Sequence, residues 1–442
     1  MVKDEDRTMK KIIKNGIVVT MNPAGDVWNH GYVIFEGTKI LAAGPEDELE
    51  KKLQEMTAQG NFKAGEEFEE IDAKRAIVIP GLVNTHSHLG MVPFRGLGDD
   101  CKDRLRVFLL PMENQEMDAE MAALSSRYAV AEMLLSGITT VLDMYYFEEV
   151  VAKVMDEMGI RGIAGETVME TDSCDSENTD QAIERGLALI AAYKDHPRVS
   201  GTLTPHGTTT CSPETLKRVY EEDVKAGSVF TLHTAEMDYE MTQIREQYGM
   251  TPVEFLEHIG VLGPNTLTAH TIHATERDVE ILAKHGASVA HCIASNTKAG
   301  KGVAPVSLMH KHGISVGFGT DGPASGNTLD LFIQMRMCEN FQKTTLHDRS
   351  ALPAKEVVSM ATIEGARALG LGDVTGSIEP GKEADLVLIE TDSPNMFPVY
   401  DPYSAIVYSA SAANVRDVFV AGECLVKEKQ LVRADFAKIR DE

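Results

Sequence analysis

Short apolar runs alternate with longer amphipathic segments through the middle of the chain. The apolar runs are nearly continuous, as in parallel strands buried on both faces. Eight such runs lie at residues 77–88, 137–144, 161–168, 198–206, 228–236, 265–270, 287–292 and 314–321. Most are separated by segments with helical periodicity, such as 213–227 and 278–286, which end at a glycine. The pattern predicts repeated strand–helix units.

Eight strand–helix units over about 280 residues predict an α/β fold of the (β/α)8 TIM-barrel type. A doubly wound open sheet is the alternative. Polar side chains at the C-terminal ends of the runs favour the barrel, because in a barrel these ends converge on one mouth. These side chains are His86, His88, His206, His233, Glu236, His270, His291 and Asp321.

The two ends of the chain show short alternating runs with turn residues between them, at 9–76 and 376–435. We predict that both ends together form one small composite β-sandwich beside the barrel. The predicted boundaries are 1–76 for the N-terminal part of the sandwich, 77–372 for the barrel and 373–442 for the C-terminal part.

Composition and charge exclude several kinds of partner and location. The chain has 442 residues, with 42 Lys and Arg against 68 Asp and Glu, so its formal charge is −26. This charge argues against nucleic acid or an anionic membrane as the partner. The charged start is unlike a secretory signal, and no apolar stretch approaches the roughly 20 residues of a membrane span. Six scattered cysteines fit reduced thiols, so we expect a cytoplasmic protein.

A histidine pair gives the strongest chemical signal. His86 and His88 stand two apart on a predicted strand, so both imidazoles point to one face. His233, His270 and Asp321 each end another predicted strand. Histidines with one carboxylate suit Zn²⁺ or Fe²⁺ rather than Ca²⁺ or Mg²⁺. Glu236, just beyond one of these strands, is a candidate proton shuttle at the mouth.

Seven ordered motifs spread over most of the chain carry a family resemblance. They lie at 80–91, 232–236, 269–273, 289–296, 317–327, 360–371 and 376–389. On these motifs the chain resembles the amidohydrolase superfamily. It is most similar to the branch of S-adenosylhomocysteine/methylthioadenosine deaminases and atrazine-chlorohydrolase-like (ATZ/TRZ) enzymes. The resemblance implies a metal-dependent hydrolase barrel with a composite β-sandwich.

The resemblance also implies the roles of the site residues. The implied metal ligands are His86, His88, His233 and Asp321, and the implied catalytic residues are Glu236, His270 and Asp321. Dinuclear members bridge two metals with a lysine after the fourth barrel strand, where this chain has Pro205 and His206. One divalent ion per chain is therefore expected, Zn²⁺ with Fe²⁺ as the alternative.

The expected reaction is hydrolytic deamination of an aminated N-heterocycle. Metal-bound hydroxide would attack the ring carbon, Glu236 would protonate the adjacent ring nitrogen, and ammonia would leave. Adenosine-type substrates such as S-adenosylhomocysteine or methylthioadenosine are one possibility. Guanine, pterin, cytosine or triazine rings are the other, and a chlorohydrolase or cyclic-amide hydrolase is a further alternative.

At the residues expected to contact the substrate, the chain departs in part from the deaminase pattern. The resemblance assigns Glu113 to the ribose, Arg198 to a substrate carboxylate and His206 to the substrate, beside Glu236. His291 is a further candidate contact. Arg104 stands where related deaminases carry a tryptophan. The expected partner is a small aminated heterocycle, and we expect a homo-oligomer.

Overall fold

The structure is a computed structural model that describes residues 9–60 and 68–442; residues 1–8 and 61–67 of the predicted N-terminal part lie outside the described residues. The strands in chain order are β1 (Lys10–Val19), β2 (Val27–Glu36), β3 (Lys39–Pro45), β4 (Glu69–Asp72), β5 (Ile77–Pro80), β6 (Leu82–Ser87), β7 (Ile138–Tyr145), β8 (Arg161–Val168), β9 (Val199–Pro205), β10 (Phe230–Thr234), β11 (Thr266–His270), β12 (Ser288–His291), β13 (Val316–Phe318), β14 (Leu386–Ile389), β15 (Val415–Val420), β16 (Glu423–Lys427) and β17 (Gln430–Leu431).

The helices follow most strands of the middle region. In chain order they are α1 (Leu49–Ala58), α2 (Leu110–Glu116), α3 (Ala119–Leu135), α4 (Glu148–Met158), α5 (Thr179–Ala192), α6 (Pro213–Ala226), α7 (Asp238–Tyr248), α8 (Pro252–Ile259), α9 (Glu276–His285), α10 (Ile293–Lys298), α11 (Val306–Lys311), α12 (Leu331–Leu346), α13 (Ala354–Met360), α14 (Ile363–Ala368), α15 (Pro402–Ser404) and α16 (Phe436–Asp441). Across the described ranges 9–60 and 68–442, no helix has both the length and the apolar character needed to cross a bilayer.

Eight parallel strands form the barrel in the order β10-β11-β12-β13-β6-β7-β8-β9. The two end strands meet, because the backbone N–H of His233 in β10 donates to the carbonyl of His206, just after β9, at 3.1 Å. The Thr202 hydroxyl on β9 also donates to the carbonyl of Val229, at 2.6 Å. Each of the eight predicted runs contains one barrel strand, so the predicted α/β barrel is confirmed and the open sheet is not.

The run 77–88, predicted as one strand, is two strands in different sheets. β5 pairs with β1 and β14 outside the barrel, whereas β6 pairs with β7 and β13 inside it. Gly81 separates them, and a Cβ there would lie 2.0 Å from Oγ1 of Thr139. Because a side chain at position 81 would clash with Thr139, a glycine is needed where the chain passes from the terminal sheet into the barrel.

Local signals fix the helices between the strands. The α9 helix begins with a capping box, in which Thr275 accepts from the N–H of Asp278 and the Asp278 carboxylate accepts from the N–H of Thr275. It ends at Gly286, whose φ of 69° is left-handed. Its apolar face, including Val279 and Leu282, is buried against the barrel. Caps of this kind end a helix at the point where the chain turns back toward the next strand.

Strands from both ends of the chain form a second sheet, in the order β17-β16-β15-β14-β5-β1-β2-β3, with β4 beside β1. This sheet folds over on itself, so that the rings of Phe35 on β2 and Phe419 on β15 meet edge to face at 5.6 Å. The N–H of Ile40 donates to the carbonyl of Lys382 at 2.9 Å, which joins the two chain ends. The composite β-sandwich is confirmed, and the exact domain boundaries stay a prediction.

A buried ion pair joins the barrel to the terminal sheet. Nε and Nη2 of Arg161, at the start of β8, donate to the two carboxylate oxygens of Asp385 at 3.0 and 3.2 Å. Asp385 also accepts from the N–H of Ala421 at 2.6 Å, and its side chain is fully buried. This junction lies at the amino end of the barrel strands, which leaves the carboxyl ends for the functional site.

Replacing Arg161→Met should lower the free energy of unfolding by about 3–5 kcal/mol, because the Asp385 charge would stay buried without its partner. The denaturant midpoint measures this. Arg161→Met combined with Asp385→Asn should recover part of the loss, and Arg277→Met in the exposed pair with Glu280 should change stability by less than about 0.5 kcal/mol. A single variant as stable as the parent would contradict the role given to this pair.

Candidate active site

Histidines from three barrel strands and one aspartate converge at the carboxyl ends of the strands. The Nε2 atoms of His88 and His233 lie 3.4 Å apart, and Nε2 of His88 lies 3.2 Å from Oδ1 of Asp321. The ring of His86 lies 4.8 and 4.9 Å from those of His88 and His233. Their ligating atoms form two overlapping groups, His86 with His233 and His270, and His86 with His88 and Asp321. The strand register thus brings together residues up to 235 positions apart in sequence.

The cluster has the chemistry of a divalent metal site. His86 is fully buried, and neither of its ring nitrogens has a hydrogen-bond partner among the described residues. A buried imidazole without a partner loses its hydration and gains nothing in return, so it needs a ligand. Imidazoles with one carboxylate are a donor set that Zn²⁺ and similar ions prefer. The residues present therefore fit a divalent metal.

Backbone carbonyls hold two of the imidazoles in one orientation. Nδ1 of His88 donates to the carbonyl of Met144 at 2.5 Å, and Nδ1 of His233 donates to that of His206 at 2.6 Å. This leaves both Nε2 atoms, which face each other, for an ion. Such outer partners are a regular feature of metal-ligating histidines.

The charge states of the cluster also suit a cation. Burial, together with the neighbouring imidazoles, lowers the pKa of His86 and His233 well below the usual range. Burial alone would raise the pKa of Asp321, but the surrounding histidines, first of all His88, lower it strongly. Burial also opposes charge on His88, yet its hydrogen bond to Asp321 raises its pKa to about 9. A bound ion would take the place of that proton.

Left-handed backbone conformations place two of these side chains. His270 has φ of 67° and Asp321 has φ of 58°, and neither residue is a glycine. This conformation costs about 1–2 kcal/mol for a residue with a Cβ. The Asp321 turn is held where its N–H donates to the carbonyl of His86 at 3.1 Å. The fold thus tolerates strain where it aims side chains at the cluster.

A carboxylate lies beside the cluster with a lysine that the motifs did not indicate. Oε1 of Glu236 lies 3.6 Å from Nε2 of His270 and 2.5 Å from Nζ of Lys301. Nδ1 of His270 is in turn 2.8 Å from Oδ1 of Asn296. Burial would raise the pKa of Glu236, but His270, Lys301 and His233 lower it to about 2. The carboxylate is therefore ionised at neutral pH.

One cavity of about 680 Å³ opens onto this cluster. It is lined by residues from loops after most barrel strands, among them His88, Glu113, His206, His233, Glu236, His270, Lys301 and Asp321. The hydroxyl of Tyr145 donates to Oε1 of Glu113 at 2.6 Å. Nδ1 of His206 lies 2.9 Å from the hydroxyl of Thr210, and burial lowers the pKa of His206 to about 4. The predicted contacts Glu113 and His206 thus share the cavity with the catalytic candidates.

Arg198, predicted as a substrate contact, lies elsewhere. It precedes β9, at the amino end of a seven-residue strand, whereas His206 follows the carboxyl end. That length corresponds to about 20 Å. Its guanidinium pairs with Asp156 at 2.9 Å. The assignment of Arg198 to the substrate is therefore corrected.

His291 is also placed away from the cavity wall. It ends β12, is fully buried, and neither ring nitrogen has a partner among the described residues. Burial lowers its pKa to about 3, so it is a neutral imidazole. It does not line the cavity, so its position does not support the prediction that His291 contacts the substrate.

Arg104, at the position of the missing tryptophan, is occupied by backbone contacts. Its Nε donates to the carbonyl of Leu97 at 2.7 Å and its Nη1 to that of Ala324 at 2.6 Å. It also pairs with Asp99, which in turn binds Lys298 at 2.8 Å. Arg104 therefore fastens the loop that follows β6 to the loop after β13, and through Asp99 and Lys298 to the helix after β12.

Comparison with known proteins gives consistent matches. A family model described as the amidohydrolase family matches residues 77–425. A 5-methylthioadenosine/S-adenosylhomocysteine deaminase of Desulfitobacterium hafniense is 36% identical over 98% of this chain and 96% of its own length. A 5'-deoxyadenosine deaminase of Methanosarcina barkeri is 35% identical over the same shares. The crystal structure of a Xanthomonas campestris adenosine deaminase with bound zinc superposes with a TM-score of 0.92, at 29% identity, over 98% of this chain and 97% of that one.

A divalent transition-metal ion added to chelator-treated protein should raise its unfolding temperature, because the ion binds only the folded cluster. His86→Ala should remove most of this response. His258→Ala, which alters an exposed histidine, should respond like the parent. Equal responses from the parent and His86→Ala would place the metal elsewhere.

Proposed function

The chain belongs to the amidohydrolase family, and from this membership we propose that it removes the ring amino group of an adenosine-type nucleoside by hydrolysis. It is a deaminase of the amidohydrolase type, as the motifs predicted. The observation that carries the proposal is an ionised carboxylate, that of Glu236, which lies 3.6 Å from Nε2 of His270 in the cavity that opens onto the metal-binding cluster. This arrangement can move a proton to a ring nitrogen while water attacks the neighbouring carbon.

The proposed metal is one Zn²⁺ per chain, with Fe²⁺ as the alternative. Its proposed ligands are His86, His88, His233 and Asp321. The orphaned nitrogens of His86 support this set. β9 ends at Pro205 and His206 follows it, so no lysine stands where dinuclear relatives carry the bridging lysine. When bound, a divalent ion supplies a Lewis acid that makes water nucleophilic near neutral pH.

The protein's own residues would handle the protons. Asp321, kept ionised by the surrounding histidines, accepts a proton from the attacking water. The ionised Glu236 carboxylate takes up the other proton of that water and passes it to the ring nitrogen next to the attacked carbon, which makes that carbon more electrophilic. His270, held through Nδ1 by Asn296, orients the water with its other nitrogen. Asp321 then returns its proton to the amino group, the carbon–nitrogen bond breaks with its electron pair on nitrogen, and the products are ammonia and an oxo ring.

The proposed substrate is an adenosine with a small uncharged 5' group, such as 5'-deoxyadenosine or methylthioadenosine. The names of the relatives support the adenosine part. The cavity of about 680 Å³ is of the size that small-molecule sites have. Glu113 would accept from the ribose hydroxyls. Arg198 lies at the other end of the barrel and offers nothing to the carboxylate of S-adenosylhomocysteine.

Glu236→Gln should keep the metal content of the parent and lower kcat by about 10²–10⁴-fold, because the carboxylate that carries the proton is gone. Asp321→Asn should lose both turnover and metal. Ammonia release from a panel of adenosines, guanine, pterins and triazines measures the rate, and elemental analysis measures the metal. Near-parental turnover by Glu236→Gln would exclude ring protonation by this residue.

The affinity for an adenosine-type substrate should depend on Glu113 and on pH. Burial raises the pKa of the Glu113 carboxyl to about 7, against the smaller effect of the Tyr145 hydrogen bond. The carboxylate accepts hydrogen bonds better than the acid, so KM should fall as pH rises through about 7. Glu113→Gln should raise KM about tenfold and flatten this dependence. A KM that changes neither with pH nor in Glu113→Gln would exclude Glu113 as a substrate contact.

A further inference from the structure

A lysine outside every family motif reaches into the cavity and pairs with the catalytic carboxylate. Nζ of Lys301 lies 2.5 Å from Oε1 of Glu236, and their side chains are only 19% and 11% exposed. Both residues line the cavity beside the metal-binding cluster. An ion pair so shielded from water is much stronger than one on the surface. It is therefore a feature of the site rather than of the solvated rim.

Two glycines allow the backbone to deliver this lysine. Gly300 has φ of 67° and Gly302 has φ of 124°, and the second value is open only to glycine. The N–H of Lys301 donates to the carbonyl of Asn296 at 2.9 Å, which anchors the loop. A Cβ on Gly302 would come within 3.1 Å of Ile272. The loop after α10 is thus shaped to hold Lys301 in place.

The contacts of Lys301 close a ring of interactions around Glu236. Asn296, which holds the Lys301 backbone, also holds Nδ1 of His270 through its side chain at 2.8 Å. His270 and Lys301 then both approach the same oxygen, Oε1 of Glu236. The backbone N–H of Glu236 donates to Glu240 at 2.8 Å, so the main chain is fixed as well. Oε1 is thereby engaged by the protein, whereas among the described residues 9–60 and 68–442 no hydrogen bond or ion pair reaches Oε2, which leaves that oxygen for the substrate.

We propose that Lys301 is a positioning residue for deamination, which holds the Glu236 side chain through Oε1 so that Oε2 meets the ring nitrogen. This proposal rests on the proposed function, since it assumes that Glu236 transfers the proton. Lys301 touches neither the reacting carbon nor the leaving amine in this scheme. Its effect passes through Glu236, because a shift of about 1 Å in a reacting group can change a rate 10²-fold.

The positive charge of Lys301 also supports its role in positioning Glu236. Burial raises the pKa of Glu236, and it is the neighbouring side chains, His270 first and Lys301 next, that bring it down to about 2. Without Lys301 the carboxylate would stay buried with one cation fewer, which is a costly arrangement. The Glu236 side chain would then rotate toward other hydrogen-bond donors. Lys301 therefore keeps Glu236 both charged and in place.

Kinetics of single and double variants test the proposal. Lys301→Met should lower kcat by about 10- to 100-fold with KM changed less than about threefold, and Lys301→Arg should recover part of kcat. In the Glu236→Gln background, the same Lys301→Met change should cost less than about twofold, since its target is gone. Metal content should equal that of the parent, and the exposed Lys311→Met should behave as the parent. An undiminished kcat in Lys301→Met, or an equal loss in both backgrounds, would overturn the proposal.

A crystal structure of Lys301→Met tests the same point without any substrate. The Glu236 carboxylate should move by about 1 Å or more from its place in the parent crystal. An unmoved carboxylate would overturn the positioning role, whatever the substrate is. A parent enzyme that deaminates none of the adenosines would instead overturn the proposed function, so the two failures are distinguishable.

Discussion

Three imidazoles and one carboxylate that together suit a divalent metal ion, those of His86, His88, His233 and Asp321, lie at one place in the barrel, and most of the structure follows from that requirement. His86 has no partner for either ring nitrogen, and the Nε2 atoms of His88 and His233 face each other at 3.4 Å. Without a cation this arrangement is unfavourable, because the buried His86 imidazole has lost water and gains no hydrogen bond among the described residues. Barrel closure between β9 and β10, the left-handed turn at Asp321 and the carbonyls behind His88 and His233 all hold the groups together.

The residues proposed to transfer protons lie directly beside this cluster. Glu236 follows His233 by three residues, so the strand that carries His233 leads directly to the carboxylate. His270 and Lys301 meet its Oε1 from two other elements, and Asn296 ties those two together. A metal site alone would be compatible with many hydrolytic reactions. The oriented, ionised carboxylate beside it is what suits the protonation of a ring nitrogen during deamination.

Sequence patterns were sufficient for the barrel and for the residues at its strand ends, because apolar runs and the spacing of His86 and His88 are local signals. They failed where distance along a strand mattered. Arg198 stands eight positions before His206, but the intervening strand puts them at opposite ends of the barrel. Lys301 was missed for the opposite reason: it is far from Glu236 in sequence, and only the Gly300 and Gly302 turns bring it into the cavity.

The most direct test of the account is an anomalous diffraction map, recorded at the zinc edge from crystals of the zinc-loaded protein. The account predicts one strong peak per chain, about 2.0–2.2 Å from the nearest atoms of His86, His88, His233 and Asp321. Two peaks in the site would contradict the single-metal reading. A strong peak elsewhere with none among these four side chains would contradict the claim that this cluster organises the active site.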